Sequence, residues 1–219
     1  MVAETAHIFL TDAQEMLPPA REEETADYFA PLVTLARAGD ALAFERIMLA
    51  TEQRVVSIAW RMLGNRDDAS DAAQEVYLRV FKYLGRFRAG EDFRGWLYRI
   101  TINVCHDFSR KRRLTTTRRF EETRFDQERP ALEATVSGAN PEDLALQAQQ
   151  LALVRRALQS LPVKERAALV LRDLEGFSTE EVARVLGSRP VTVRSQISSA
   201  RGKIKTYCDK LLRQRGASQ

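Results

Sequence analysis

Arg194, Ser195, Ser198, Arg201 and Lys205 follow one another at steps of one, three, three and four residues, so a helix would turn all five to one side. Thr192 and Ser199 stand beside them. These side-chain types suit a duplex. Arginine pairs bidentately with guanine, a serine hydroxyl donates or accepts at base edges or phosphates, and lysine neutralises phosphate. Across the same helix Val193, Ile197, Ala200, Ile204 and Leu211 recur at three, four or seven residues and form a narrow apolar stripe. Immediately upstream, Ser178-Thr179-Glu180-Glu181 has the form of a capping box, and Val182, Ala183, Val185 and Leu186 give a short apolar face. Gly187 breaks that helix, Ser188 is expected to cap the next, and Pro190 is tolerated where first-turn amides have no intrahelical partner. Two helices, a glycine turn and a basic second helix make the pattern of a helix-turn-helix.

A second constellation is acidic. Asp68, Asp71 and Glu75 fall at i, i+3 and i+7, with Leu78 nearby, while Ala69, Ala73, Val76, Val80 and Leu84 share the opposite, core side. An acidic stripe repels DNA and suits a basic protein partner. The three carboxylates could instead hold a metal, as in a nucleic-acid-processing enzyme, but no histidine or second acidic cluster completes such a site. Cys105-His106 likewise lacks a second pair of ligands.

The third constellation runs from Gly85 to Arg113. The basic aromatic turn Arg86-Phe87-Arg88 precedes a helix expected to begin near Asp92. Phe93, Leu97, Ile100, Val104 and Phe108 face inward. Arg99, Asn103, His106, Arg110 and Arg113 share a polar, basic face. Exposed cations beside aromatics suit an opened single strand, in which arginines follow phosphates and unstacked bases rest on rings. Phe87 is read as a ring offered from the turn, with a core position closing the bundle as the alternative. Trp96 is read as packing, and Tyr98 flanks the same stripe. His106 is read as a polar groove-side residue, since no nucleophile or carboxylate partner marks it as a base.

These motifs need helices to carry them, and the chain supplies little else. It has 219 residues, 44% apolar and 29% charged, room for one large domain or two small ones. Periodicity is helical from about Tyr28 to Arg113 and again from about Leu146 to Leu212, with no convincing strand pattern. Asp40 is expected to cap a helix with Phe44, Ile47, Met48, Val55, Ile58 and Met62 as its buried stripe, and Gly64-Asn65 to end it. The expected architecture is all-α: an acidic arm 1–27, a helical domain 28–113, a linker 114–146 and a second helical domain 147–213. Net charge is only +4, but it is segregated. Residues 1–27 hold seven acids against Arg21, residues 108–119 hold six bases and no acid, and residues 184–215 hold nine bases against Asp209. Two separate basic patches suggest a polyanion gripped at two places. No apolar run approaches the ~20 residues of a membrane span, and the N-terminus shows no secretory signal. Two distant cysteines read as reduced thiols in a cytoplasmic protein.

LPVKERAALVLRDLEGFSTEEVARVLG followed by TVRS resembles region 4 of bacterial sigma factors, most like the extracytoplasmic-function class. Val191 stands where that family usually has glycine, and Gln196 and Ser199 where arginine is common. Asp68-Ala69, Asp71, Gln74-Glu75-Val76 and Phe81 resemble the polymerase-binding motif of region 2. Phe87-Arg88, Phe93, Trp96-Leu97-Tyr98, Ile100 and Asn103 resemble its segment for −10 recognition and melting. The resemblance implies a promoter-specificity subunit of RNA polymerase, without chemistry or cofactor of its own. Region 2 is then expected on the β′ clamp helices through Asp68, Asp71, Gln74, Glu75 and Leu78. Phe87, Arg88, Tyr98, Arg99, Asn103, His106, Arg110 and Arg113 are expected at the −10 DNA. Region 4 is expected on the β flap, with Thr192, Arg194, Ser195, Ser198, Ser199, Arg201 and Lys205 at the −35 DNA. The linker, net −3, suits a cationic RNA exit path, and an anti-sigma factor is an expected partner. A stand-alone helix-turn-helix regulator would explain Ser178–Lys205, but neither the acidic stripe nor the basic aromatic turn.

Overall fold

A computed structural model of the chain describes residues 26–88, 90–119 and 141–216. Helices account for the regular structure, with no strand among the described residues. α1 spans Ala26–Arg37, α2 Ala41–Leu63 and α3 Arg66–Tyr83; a 3-10 turn at Leu84–Arg86 then leads to α4, Phe93–Arg119. α5 spans Pro141–Gln159 and α6 Val163–Leu169, continued by one π turn at Val170–Leu174. α7 spans Thr179–Leu186 and α8 Pro190–Gly216. Both α4 and α5 reach into the segment expected to be a linker; the rest of it, and the arm up to residue 25, lie outside the described residues.

Local chemistry sets the boundaries. The Asp40 carboxylate accepts from the amides of Leu42 (2.9 Å) and Ala43 (3.0 Å). Gly64 closes α2 in the left-handed region at φ 83°, and the Asn65 side chain accepts from the Asp68 amide at 2.7 Å. Asp92 accepts from the Arg94 and Gly95 amides at 3.0 and 3.1 Å to start α4. The capping box closes in both directions: the Glu181 amide donates to Ser178 Oγ (3.2 Å) and the Ser178 amide to Glu181 (2.6 Å). Gly187 ends α7 at φ 60°. Ser188 does not cap α8 as expected. Its hydroxyl donates to the Leu186 carbonyl, and Pro190 opens the helix with its φ already fixed.

In the N-terminal bundle Ile47, Val55, Ile58 and Met62 of α2 meet Ala69, Ala73, Val76 and Val80 of α3 and Phe93, Leu97 and Val104 of α4, all buried. Phe44 and Met48 sit half-buried at its edge. Inside it the Thr51 hydroxyl and Tyr77 OH lie 2.9 Å apart, and burial pushes the Tyr77 phenol well above its usual range. In the C-terminal bundle Leu158, Leu169, Leu171, Phe177, Val193, Ala200 and Ile204 form the centre.

The two bundles meet along a polar seam at the end of α2. The last carbonyls of a helix have no intrahelical donor. Here side chains from the other domain supply donors. Arg155 donates to Gly64 O at 3.3 Å, Gln159 to Arg61 O and Met62 O at 3.2 and 3.4 Å, and Arg166 to Met62 O. Arg166 also donates to Gln159 Oε1 (2.5 Å) and to the carbonyls of Gln159 and Leu161 (3.1 and 3.0 Å). Two cations at a helix C-terminus also answer its partial negative charge. Beside them the Glu175 carboxylate, 1% exposed, accepts from Arg61 at 2.7 Å and Arg54 at 3.4 Å. Burial lowers the Arg61 pKa, and the Glu175 charge opposes that shift.

Gly64→Ala tests this junction. It forces a side chain into the left-handed region and sets a Cβ 2.7 Å from the Gln159 side chain, whose amide serves two of the α2 carbonyls. A stability loss of about 1–3 kcal/mol is expected in urea unfolding. An unchanged midpoint would mean that Gln159 does not hold the seam.

Candidate nucleic-acid interface

The face of α8 stands out from the protein. Thr192, Arg194, Ser195, Ser198, Ser199, Arg201 and Lys205 are all exposed, over buried Val193, Ile197, Ala200 and Ile204. Its C-terminal half is braced from below. Arg201 donates two hydrogen bonds to Asp173 at 2.9 and 2.6 Å, which raises its pKa. Ser199 and Lys203 both donate to Glu165, at 3.2 and 2.7 Å. Arg194 at the leading end pairs with Glu180 of α7 at 3.2 Å, with both side chains largely exposed. An exposed pair of this kind is weak and can give way to a stronger anion. Val191, 70% exposed, adds an apolar contact to that leading end.

On α4, Arg99, Asn103 and Arg110 are exposed, as is Arg88 in the preceding turn. The Arg113 side chain lies outside the described residues. His106 is half-buried and its Nε2 finds no partner among the described residues. Burial and the nearby Lys164 lower its pKa, against the opposing pull of Asp107.

Two ring positions differ from expectation. Phe87 is a core residue, 5% exposed, packed on Phe93 and Trp96 with ring centroids 5.7 and 5.2 Å away. The 3-10 turn is the reason. It brings the Phe87 amide onto Leu84 O at 3.1 Å and turns the ring inward, leaving Arg86 and Arg88 outside. Tyr98 is only 2% exposed, because Phe177 of the other domain packs on it at 5.4 Å. Neither ring can stack on a base in this arrangement.

The α3 stripe exposes Asp71, Gln74 and, 66% exposed, Leu78. Asp68 accepts from Asn65 at 2.6 Å and pairs with Arg112 at 3.4 Å. Glu75 holds Arg79 at 2.7 Å, and Arg79 reaches Asp107 of α4 at 3.0 Å; the Glu75 hydrogen bond, followed by that of Asp107, raises the Arg79 pKa. Among the described residues no group of three or more His, Cys, Asp or Glu is placed to hold a metal ion. Phe81, 70% exposed, lies one turn beyond Leu78 and packs edge-on to Phe44 at 5.4 Å. Glu75, Leu78, Arg79, Lys82 and Tyr83 line a depression beside it. The surface is thus apolar as well as acidic.

Residues 47–115, covering most of α2 to α4, match the model of Sigma-70 region 2, and residues 151–204, from α5 into α8, match that of Sigma-70, region 4. The chain is 34% identical over 186 residues to the RNA polymerase sigma-H factor of Pseudomonas aeruginosa, covering 84% of this chain and 95% of that protein. The chain belongs to the sigma-70 family. It is also 36% identical over 168 residues to the ECF RNA polymerase sigma factor SigE of Mycolicibacterium smegmatis, covering 77% of this chain and 62% of that one. It is 31% identical over 186 residues to the ECF sigma-E factor of Escherichia coli K12, covering 83% of this chain and 95% of that one. In fold it is similar to CnrH, solved with the cytosolic domain of CnrY, at a TM-score of 0.60 and 22% identity over 83% of this chain and 97% of the other. It is similar also to RpoE of Bartonella quintana, solved with the anti-sigma factor NepR, at 0.59 and 22% over 76% and 96%. No helix among the described residues of this sigma factor is long and apolar enough to cross a membrane.

His106 gives the region 2 helix a measurable pH dependence. Its folded-state pKa lies below the ordinary 6.5, so the unfolded chain binds the proton more readily. Its neutral form therefore favours folding fully above about pH 6.5, and that contribution falls as pH drops through this value toward the lower folded pKa. His106→Gln should flatten the fall in urea midpoint between roughly pH 7 and 5. An equal slope in both proteins would contradict the assignment.

Proposed function

We propose that this sigma factor works by position: the α8 face reads the −35 duplex, the exposed cations and Asn103 of α4 take up the opened −10 strand, and α3 docks on the β′ clamp helices of core polymerase. Region 4 sits on the β flap, and catalysis belongs to core. One observation carries the reading. A single chain exposes a braced basic helix on a capped helix-turn-helix and, on another bundle, an acidic–apolar surface unsuited to DNA. A stand-alone DNA-binding regulator has no use for the second surface. On α8, Thr192, Arg194, Ser195 and Ser198 are the base-reading candidates, while Ser199, Arg201 and Lys205 hold phosphate. On α4, Arg88, Arg99, Asn103 and Arg110 are the strand-holding candidates, with His106 and Arg113 at the far end. The protein acts in the cytoplasm beside polymerase. A small anti-sigma protein is an expected partner, since CnrH and RpoE were solved with bound protein partners.

Incubation with core polymerase and fragmented genomic DNA, followed by sequencing of the transcripts, should yield start sites preceded by a shared pair of motifs. Start sites indistinguishable from those of core alone would contradict the reading. For the docking surface, Asp71→Arg with Leu78→Ala should leave the fold intact, since both side chains are exposed. It should weaken core binding by about 2 kcal/mol, roughly 30-fold, in a competition titration. Unchanged affinity would remove α3 from the interface.

A further inference from the structure

We infer that Val191 reads a thymine: its methyl groups contact the 5-methyl group of one thymine in the −35 duplex and make that base pair a specificity position. The inference rests on the proposed reading of the duplex by α8, and it adds an apolar contact to a face whose other groups are polar. Val191 is 70% exposed, and no other large apolar side chain is so exposed among the described residues of the C-terminal domain. Single exposed valines are common on protein surfaces, so its register is what matters. Val191, Arg194, Ser195 and Ser198 stand at i, i+3, i+4 and i+7, all exposed, and share one side of α8. Val193, Ile197, Ala200 and Ile204 are buried on the other side and fix the rotation of the helix. Val191 cannot turn inward without lifting that stripe out of the core.

Its place along the helix matters as much. A helix-turn-helix brings the first residues of its second helix to the base edges of the major groove. Pro190 opens α8, and the Val193 amide donates to the Arg189 carbonyl at 3.1 Å, so Val191 is the second helical residue and is held in regular helix. A β-branched side chain in a helix has one strongly preferred rotamer, which presents its methyl groups in a fixed direction. The major-groove edges of the base pairs offer donors, acceptors and a single apolar group, the thymine methyl. Against that methyl, valine removes apolar surface from water on both partners. Against cytosine it covers the N4 amino group and offers it no acceptor, which is unfavourable. Valine here therefore selects thymine over cytosine. Arg194, one turn further on, is held by Glu180 at 3.2 Å. With Cβ atoms about 5–6 Å apart at this spacing and base pairs ~3.4 Å apart, the thymine should lie within about three base pairs of the position that Arg194 reads.

Holoenzyme assembled from core polymerase and the full-length chain tests this in two assays. Transcription from a promoter library randomised at −35, compared for wild type, Val191→Gly, Val191→Ala and Arg194→Ala, locates the positions each residue reads. On a promoter that wild type prefers, each −35 thymine is then replaced in turn by uracil, which removes the methyl group and leaves base pairing intact. Competition titration gives the affinities. At the thymine whose preference Val191→Gly relaxes, uracil should cost wild type about fourfold, the effect of burying one methyl group. Val191→Gly should bind the thymine and uracil promoters alike. Val191→Ala keeps one methyl group and a strong helix former and should fall between, which separates a lost contact from a helix start loosened by glycine. Wild-type indifference to uracil at every thymine, in a library that still yields a −35 motif, overturns the Val191 contact and leaves reading by α8 standing. A uracil effect that persists in Val191→Gly assigns the methyl group to another residue and also overturns it. Equal weakening of Val191→Gly on all −35 sequences would make Val191 a contact to polymerase instead. A wild-type library with no −35 preference removes the reading by α8 itself.

Discussion

The last turn of α2 ends against another domain rather than in water, and its carbonyls need donors there. Gln159 and the arginines at 155 and 166 supply them, and each comes from the C-terminal domain. Arg54 and Arg61 lie seven residues apart on the same helix and converge on one buried carboxylate. Much else follows from that junction. It fixes α5 and α6 beside α2, anchors Glu175 at the end of the π turn, and brings Phe177 onto α4. Asp173 in that π turn holds Arg201, so the orientation of α8 is tied to the turn that leads into the seam.

This arrangement separates the three surfaces of a sigma factor by accessibility. The α8 face and the α3 surface are open, while the beginning of α4 is covered. Cys105, buried in α4 with its pKa pushed up to about 12, has no reactive thiolate at neutral pH and serves as packing.

Features set by neighbouring residues were legible in the sequence. The Ser178–Glu181 box, the glycine stops at 64 and 187, the Asp40 cap and the apolar stripes of α2, α3 and α8 depend on spacings of three to seven residues. The exposed faces of α3 and α8 follow once those stripes are placed. Features set by distant partners were not. Tyr98 looks like the edge of a polar face until Phe177 covers it. Arg166 and Glu175 look like surface charges, because the Met62 carbonyl and the two arginines they meet lie on distant α2. Phe87 occupies a turn whose handedness decides whether the ring points in or out, and composition does not encode that. A weak signal did exist for the seam: Arg54 and Arg61 flank Val55, Ile58 and Met62, cations placed beside a core stripe rather than opposite it. The bracing of Arg201 and Lys203 by Asp173 and Glu165 was equally hidden, since acid and base sit on separate helices.

The claim on which the rest turns is that the two domains of the free protein share one seam and fold as a unit. Scanning calorimetry of the intact chain at neutral pH tests it most directly. A helix end completed by the other domain couples their unfolding, so one transition is expected, with calorimetric and van't Hoff enthalpies in agreement. Two resolved transitions, each carrying the enthalpy of one domain, would contradict it.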